Sequence, residues 1–175
     1  MGSELTPLDP TAGVSVSGFI AKADGAVVSR CVGIHVASRR TILILEDNDE
    51  RIQAFERAVG SLSPDFRLRV WRDAPTMTAE CGDLLADACL ISLDHDLVPL
   101  SDKSPDPGTG LEVAEFLSRR PPVCPVILHT SNHERRWSMH NEFRFAGWSV
   151  EIIPPIGDDW IQSSWLPRAR ELIGL

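Results

Sequence analysis

Short apolar runs alternate with helix-patterned segments along the chain from residue 40 onward. The apolar runs predict β-strands near residues 41–45, 66–70, 88–93, 125–129 and 148–153. Between and after them, apolar residues at helical spacing predict helices near residues 49–61, 75–86, 110–119, 133–146 and 158–173. Strict alternation of strands and helices is typical of a parallel sheet that helices cover on both faces. We therefore expect a doubly wound α/β domain whose five strands lie in the order 2-1-3-4-5.

Two segments fall outside this alternation. Residues 1–39 are rich in glycine, serine, alanine and valine, and we expect them to form a weakly ordered or accessory N-terminal extension before one domain over residues 40–175. Residues 98–109 form a loop rich in proline, glycine and serine after the third strand. This loop is either a lid over the end of that strand or a passive insertion, and the sequence favours neither.

Polar residues stand where three of the predicted strands end. Apolar runs that close at Leu45, Leu93 and Leu128 lead directly into the clusters Glu46-Asp47, Asp94-His95-Asp96 and His129-Thr130-Ser131-Asn132. In an open parallel sheet the carboxyl ends of the strands share one edge, where ligand sites collect. The sequence therefore predicts one polar site at that edge.

The acidic residues of these clusters predict a metal site. Glu46, Asp47 and Asp94 would bring three carboxylates to the tips of adjacent strands, where their mutual repulsion requires a cation or protons. Oxygen ligands of this kind suit Mg²⁺ or Mn²⁺. Asp96 shares a side of the extended chain with Asp94, and it could add a side-chain or backbone carbonyl oxygen. The alternative is a set of solvated acids at strand ends that bind no metal.

The fourth strand leads into residues suited to an anion. Thr130, Ser131 and Asn132 precede a predicted helix, and the first backbone N–H groups of a helix favour negative charge. Arg135 and Arg136 lie in the first turn of that helix, where two guanidinium groups could clamp phosphate oxygens. Taken singly, either arginine is more typical of a solvated surface.

Two histidines belong to these clusters. His129, at the end of a strand, is either a general acid or base or a structural hydrogen-bonding residue. His95 points away from the side shared by Asp94 and Asp96, and it either bonds a neighbour or reaches the site. We take Asp94, His95 and His129 as the candidate catalytic residues.

Composition narrows the classes of partner. The net charge of −8 argues against a bulk nucleic-acid or membrane-surface partner, because both require a basic face. It leaves room for a small phosphorylated ligand in a locally basic pocket. The four cysteines show no paired metal-type spacing, and Cys89 and Cys124, in or beside apolar strands, are expected to be small buried thiols. With no secretory segment and no apolar run of about 18 residues, we expect a cytoplasmic protein.

The strand-end residues resemble the receiver domains of two-component signalling over about residues 41–173. Glu46-Asp47 resembles the acidic pair that binds metal in that family, Asp94 its phosphoacceptor aspartate, and Thr130 or Ser131 its hydroxyl residue after strand four. The resemblance implies a flavodoxin-like, CheY-like fold. Receivers carry a lysine before a proline at the end of strand five, whereas this chain reads Ile153-Pro154-Pro155-Ile156. That difference argues against ordinary phosphorelay switching.

Two motifs resemble a more specific group. Leu-Asp-His-Asp-Leu at 93–97 and His-Thr-Ser-Asn at 129–132 are similar to motifs of the cyclic-phosphate-processing receiver-like family. In that family the receiver metal site is thought to open or hydrolyse cyclic phosphates with the help of added histidines. The resemblance implies a metal-dependent phosphoesterase that acts on a cyclic phosphate or a nucleotide-derived phosphodiester. An atypical receiver that acts through a protein partner, and an acidic domain without a ligand, are the alternatives.

Overall fold

The computed structural model describes residues 40–175; the extension predicted for residues 1–39 lies outside the described residues. The strands are β1 (Thr41–Leu45), β2 (Arg67–Trp71), β3 (Ala88–Leu93), β4 (Val126–Leu128) and β5 (Val150–Ile152). The helices are α1 (Asp49–Gly60), α2 (Ala74–Glu80), α3 (Gly110–Ser118), α4 (His133–Phe145) and α5 (Leu166–Leu172). A 3₁₀ turn at Cys81–Leu84 follows α2, and a π-helical turn at Ile161–Trp165 leads into α5. No helix within residues 40–175 is long and apolar enough to span a membrane.

The sheet has the predicted topology. All five strands are parallel and lie in the order β2-β1-β3-β4-β5, which confirms the doubly wound, flavodoxin-like fold. Leu45 pairs with Leu93, and Leu93 pairs with Leu128, so the three central strands end level with one another. The residue that follows each of these leucines therefore lies in one row at the carboxyl edge of the sheet.

Helices cover both faces of the sheet. On one face Ile91 packs in a core with Met77 of α2 and with residues of α3 and α4. On the other face Ile44 packs with Phe55 of α1 and with Trp165. The strands β1 and β3 are buried on both faces, which explains their nearly unbroken apolar sequences. The edge strand β2 alternates between exposed and partly buried residues, as its alternating sequence predicts.

Two predicted helices differ from the structure. The helix predicted over residues 75–86 ends at Glu80 and tightens into the 3₁₀ turn that contains Gly82, a residue that weakens helices. The helix predicted over residues 158–173 begins instead with the π-helical turn, in which Leu166 N–H donates to Ile161 C=O. Pro167 has no N–H with which to bond the carbonyl four residues earlier, and this accounts for the wider turn.

Asparagine side chains begin the two helices that border the carboxyl edge. Asn48 Oδ1 accepts a hydrogen bond from Arg51 N at 3.0 Å at the start of α1. Asn132 Oδ1 accepts one from Arg135 N at 3.1 Å at the start of α4. These caps fix the first turn of each helix relative to the strand before it. They therefore fix where the Arg51 and Arg135 side chains begin.

Candidate functional site

Glu46, Asp94 and His129 occupy neighbouring places in the row beyond the strand ends. The ladder of the sheet continues into this row, because Asp94 N donates to Leu45 O and His129 N donates to Leu93 O, each at 3.0 Å. Residues in one row of a parallel sheet point to the same face. Here that face is the one covered by α1 and the π-helical turn. All three side chains are buried.

Three donor atoms of this row converge. One carboxylate oxygen each of Glu46 and Asp94 and one ring nitrogen of His129 lie within 4.8 Å of one another, and residues 40–175 contain no second group of this kind. Glu46 Oε2 and His129 Nε2 lie 3.4 Å apart, and both atoms are buried without a hydrogen bond. Buried polar atoms without a partner are uncommon and call for an explanation such as an ion or ligand. The arrangement fits a small cation.

Glu46 is held in one orientation. Its Oε1 accepts hydrogen bonds from the backbone N–H groups of Asp47 at 3.1 Å and Asn48 at 3.0 Å. Burial raises the pKa of Glu46, but the neighbouring His129, the Asn48 N–H and the Arg51 guanidinium outweigh burial and hold the pKa below its usual value. Glu46 is therefore a fixed negative charge in the interior.

Asp94 has a different environment. Its Oδ1 accepts a hydrogen bond from the backbone N–H of His95 at 2.6 Å, and its Oδ2 accepts one from Arg51 Nη1 at 3.1 Å. Burial raises the pKa of Asp94, and with the negative charge of Glu46 it outweighs the lowering effects of His129, the His95 N–H and Arg51. The two carboxylates therefore resist carrying two charges together unless a cation lies close by.

Arg51 is a site residue that the sequence analysis missed. Its Nη1 lies 3.1 Å from Asp94 Oδ2 and 3.5 Å from Glu46 Oε2, so its positive charge faces both carboxylates. The side chain is 35% exposed, which leaves it room to move away from the pair. The available signal was its position, since a basic residue one turn into the helix after an acidic strand end points back toward those acids.

His129 is enclosed by residues that lie far apart in the sequence. Its Nδ1 is 2.7 Å from Ser92 Oγ, which accepts a hydrogen bond from Trp165 Nε1 at 2.9 Å. Its ring stacks on Trp160, with centroids 5.6 Å apart, and is tilted against Phe55. Ser92 and Trp165 were not predicted as site residues, because a serine inside a strand and a tryptophan 73 residues later share no motif.

The other acidic candidates lie outside the convergent group of donor atoms. Side chains alternate along an extended chain, so Asp47 turns to the opposite side from Glu46. Its Oδ2 accepts a hydrogen bond from Val98 N at 2.7 Å, which ties it to the loop after β3. Asp96 is exposed, and its Oδ1 accepts a hydrogen bond from Asn132 Nδ2 at 3.2 Å. The structure thus brings Asp96 to the start of α4.

His95 lies beside Asp96 near the rim of the edge. Its Nε2 is 3.7 Å from Asp96 Oδ1, and its Nδ1 is buried without a hydrogen bond. Burial lowers the pKa of His95, and the positive charge of Arg135 adds to this, while Asp96 opposes it. The shift favours the neutral imidazole, which can accept a proton.

The residues predicted to bind an anion divide into two sets. Thr130 is buried, its Oγ1 accepts from Asn132 N at 3.2 Å, and its carbonyl oxygen accepts from Arg136 Nη1 at 3.3 Å. Thr130, Asn132 and Arg136 therefore brace the turn before α4. Ser131 and Arg135 are exposed, so these two face the solvent at the edge of the sheet.

A groove of about 900 Å³ opens along the carboxyl edge between the start of α1 and the loop after β3. The loop supplies an apolar wall that includes Pro99 and Leu100, and Leu100 is 87% exposed. The opposite side carries Arg51 and Arg72, and Arg72 pairs with Asp49. Charged side chains on the groove are Asp47, Asp49, Asp73, Asp96 and Asp106, with Arg51 and Arg72 as the two cations. The groove is therefore acidic overall and partly apolar.

Comparison with known families shows the family to which the chain belongs. The sequence model of the cyclic-phosphate processing receiver domain matches residues 42–145, more than half of the chain. The chain is a member of this family. The match covers Glu46, Asp94 and His129 and ends at the last residue of α4. No protein of curated function matches the sequence.

Solved receiver structures share the fold of this family member. The response regulator domain of Thermotoga maritima CheB superposes with a TM-score of 0.55 at 12% identity, over 78% of this chain and 97% of that one. The receiver domain of an HD domain-containing protein from Pseudomonas fluorescens Pf-5 gives 0.52 at 18% identity, over 79% and 92%. A response regulator receiver domain from Rhodospirillum rubrum gives 0.51 at 17% identity, over 76% and 90%. At such low identity these likenesses show the fold alone.

This member of the cyclic-phosphate processing family differs from the receiver pattern at β5. Ile152 pairs with Leu128, so Ile153 takes the place beside His129 in the row. Ile153 is buried and is followed by Pro154 and Pro155. An apolar side chain therefore lies where the receiver resemblance leads us to look for a phosphate-binding lysine.

Proposed function

We propose that this domain is a metal-dependent phosphoesterase that binds and opens a cyclic phosphate or a nucleotide-derived phosphodiester. The observation that supports the proposal is the convergence of two buried carboxylates, Glu46 and Asp94, beside His129. Two buried carboxylates repel each other, so their retention close together supports a bound cation. The family to which the chain belongs supports a cyclic phosphate as the substrate class.

The donor set fits Mg²⁺ or Mn²⁺. Glu46 and Asp94 supply hard oxygen atoms that already face a positive charge, the guanidinium of Arg51. Asp47 and Asp96 add carboxylates at the rim of the groove, and we include them in the proposed metal environment. A divalent ion held there would polarise the phosphoryl oxygens and offset the charge of the acids.

The reaction needs a nucleophile at phosphorus and a proton for the leaving oxygen. We assign Asp94 to the first task, either by orienting an attacking water or by direct attack, in which case water must then hydrolyse the phosphoaspartate to release the product. As the new P–O bond forms, one P–O bond of the cyclic phosphate breaks, and the released oxygen takes a proton. The neutral ring of His95 would take the proton that the attacking water loses and pass it to the released oxygen, because its Nε2 faces the exposed Asp96, whereas His129 is enclosed by aromatic rings. The burial of His129 therefore favours the second role considered for it, that of a structural hydrogen-bonding residue.

The turn after β4 and the groove would hold the rest of the substrate. Ser131 and Arg135 are exposed where β4 leads into α4, and we propose that they bind the non-bridging phosphoryl oxygens, on a turn braced by Thr130, Asn132 and Arg136. The groove, with its apolar wall, would take the organic part of a small phosphate ester.

Metal binding and turnover test this proposal together. We expect Mn²⁺ or Mg²⁺ to raise the melting temperature, because a ligand that binds the native state stabilises it. We also expect metal-dependent opening of at least one compound in a panel of 2′,3′-cyclic nucleotides and other cyclic phosphates. Asp94→Asn should lower that rate by about a hundredfold or more, whereas Asp102→Asn, an exposed acid of the loop, should leave it unchanged. Absence of turnover across the panel in the presence of metal would contradict an esterase.

An atypical receiver is the second candidate. It is favoured by the receiver fold and by Asp94, which follows β3 where receivers carry their phosphoacceptor. It is disfavoured by the apolar Ile153 in place of a lysine. A stable gain of one phosphoryl group on Asp94 after incubation with acetyl phosphate, without turnover, would support this candidate and a protein partner. An unchanged melting temperature with both metals would instead support an acidic domain without a ligand.

A further inference from the structure

We infer that Ser92 and Trp165 are positioning residues that hold His129 with its proton on Nε2, so that the ring supports Glu46 and does not itself bind the cation. The inference depends on the proposed function only for its consequence in catalysis. It is based on a hydrogen-bonded series of three side chains: Ser92 of β3, His129 of the turn after β4, and Trp165 of the π-helical turn. All three residues are fully buried.

Donors and acceptors in this chain have one consistent assignment. The indole Nε1 of Trp165 can only donate, and it does so to Ser92 Oγ at 2.9 Å. The hydroxyl proton of Ser92 then needs an acceptor. Within residues 40–175, the one other hydrogen-bonding contact of Ser92 Oγ is His129 Nδ1 at 2.7 Å. Ser92 therefore donates to Nδ1, and the neutral ring carries its proton on Nε2.

The opposite assignment leaves a buried group unpaired. A proton on His129 Nδ1 would make Ser92 Oγ accept twice, from His129 and from Trp165. The serine hydroxyl would then have no acceptor in a fully buried position. An unsatisfied buried donor costs about 1–3 kcal/mol. This cost disfavours the form of His129 that exposes a lone pair on Nε2, which a metal ligand must have.

Aromatic packing holds the ring in this orientation. His129 stacks on Trp160 at an interplanar angle of 27°, and Phe55 lies against it with centroids 5.3 Å apart. Phe55 also makes an edge contact with Trp165, at 4.8 Å between centroids. The imidazole therefore cannot exchange its two nitrogens without displacing three large buried side chains.

At its other end the ring faces Glu46. His129 Nε2 lies 3.4 Å from Glu46 Oε2, while Glu46 Oε1 is bonded by two backbone N–H groups. A proton on Nε2 therefore points at a fixed carboxylate and reinforces its charge and orientation. Groups that orient a metal-binding carboxylate from behind commonly influence metal affinity by about tenfold or more. The cation would then be held by the two carboxylates, with His129 bonded to Glu46 and not to the cation.

The position of the proton can be measured without metal or substrate. We expect ¹⁵N NMR of the uncharged His129 ring to show the proton on Nε2 in the full chain. Ser92→Ala should give a mixture of the two tautomers, and Trp165→Phe should shift the population toward Nδ1–H, because it frees a lone pair on Ser92. Trp148→Phe is the matched control: its indole donates to Arg120 O on the opposite face of the sheet, so the tautomer should not change.

Mn²⁺ provides the second measurement. In the Mn²⁺-loaded protein we expect electron spin-echo spectra without a directly bound nitrogen, and an affinity about tenfold weaker in Ser92→Ala. A nitrogen coupling that disappears in His129→Gln, or a proton on Nδ1 in the unsubstituted chain, would overturn the inference. If Ser92→Ala fails to fold, the unsubstituted chain and Trp165→Phe still decide the tautomer. If the tautomer is as stated but no cation binds, the proposed function fails and this inference stands.

Discussion

Glu46 and Asp94 are neighbouring buried carboxylates on which the surroundings act in opposite directions. Glu46 receives two backbone N–H groups and faces His129, and its pKa is lowered although burial opposes this. Asp94 receives one backbone N–H group and shares Arg51 with its neighbour, and burial raises its pKa. At the level of single residues the site is therefore one fixed charge beside one charge that the fold tolerates poorly. The repulsion between the two carboxylates lowers stability in the absence of a cation, and a bound cation would relieve it.

Neutral substitutions of these two acids should change stability with opposite signs. A lowered folded-state pKa means that ionised Glu46 stabilises the fold above its unfolded pKa, and that this contribution is lost as the pH falls through the folded pKa. A raised pKa means that ionised Asp94 destabilises the fold near neutral pH. In urea unfolding without metal, Glu46→Gln should therefore lower the free energy of unfolding at neutral pH, and Asp94→Asn should raise it. Both differences should shrink in acid, and the same sign for both variants would contradict this electrostatic account.

At the scale of elements, the start of α3 is pressed against the end of β3. A Cβ atom added at Gly110 would lie 1.9 Å from the backbone oxygen of Asp94, and Gly110 N donates to His95 O at 3.2 Å. Only glycine permits this approach without a shift of the backbone that carries Asp94 and His95. The packing of α3 on β3 thus sets the position of two proposed catalytic side chains.

Gly110→Ala should accordingly affect both stability and the site. We expect the free energy of unfolding to fall by about 1–3 kcal/mol or more, because the clash is with backbone and cannot be relieved by a rotamer change. Mn²⁺ affinity should fall with it, since Asp94 must move. Gly60→Ala, at the last residue of α1 with no atom within 4 Å of the added Cβ, is the matched control and should retain the affinity. Equal behaviour of the two variants in a Mn²⁺ titration would exclude a positioning role for this contact.

Elements and their order were predictable, whereas the contacts between helices and strand ends were not. The apolar runs at β1, β3 and β4 are local patterns, and alternation with helices determines a small set of topologies. The strand ends also placed Glu46, Asp94 and His129 at one edge. Trp165 reaches that edge through the π-helical turn, which depends on tertiary packing and leaves no periodic signal. Arg51 does carry a signal, its place in the first turn of the helix after an acidic strand end. The alternation of side chains also separates Asp47 from Glu46, and this was predictable, because adjacent residues of an extended chain point to opposite sides.

At the scale of the whole molecule, negative charge limits what can approach the groove. The chain carries a net charge of −8, and five carboxylates line the groove against two guanidinium groups. A polynucleotide brings many phosphates to such a surface, while a cyclic mononucleotide brings one. The acidic surroundings and the apolar loop wall together favour a small ligand with an uncharged organic part.

The number of phosphates in the substrate should therefore affect how efficiently it is processed. We expect a 2′,3′-cyclic mononucleotide to be processed more efficiently than an oligonucleotide that ends in the same cyclic phosphate. The difference should narrow as salt is added, because added ions screen the repulsion between the groove and the extra phosphates. Competition between the two substrates at low and high ionic strength measures this directly. Preference for the oligonucleotide at low salt would show that the groove does not exclude polyanions.

Trp160 and Trp165 lie beyond residue 145, where the match to the family ends, yet one stacks on His129 and the other bonds the serine beside it. The segment that matches the family model is thus shorter than the segment that encloses His129 in this chain. When this domain is expressed alone or moved into another protein, its C-terminal boundary should therefore lie after α5 and not after α4. A fragment cut at the recognised border would keep every acidic residue of the proposed centre while losing the indoles that hold its histidine in place.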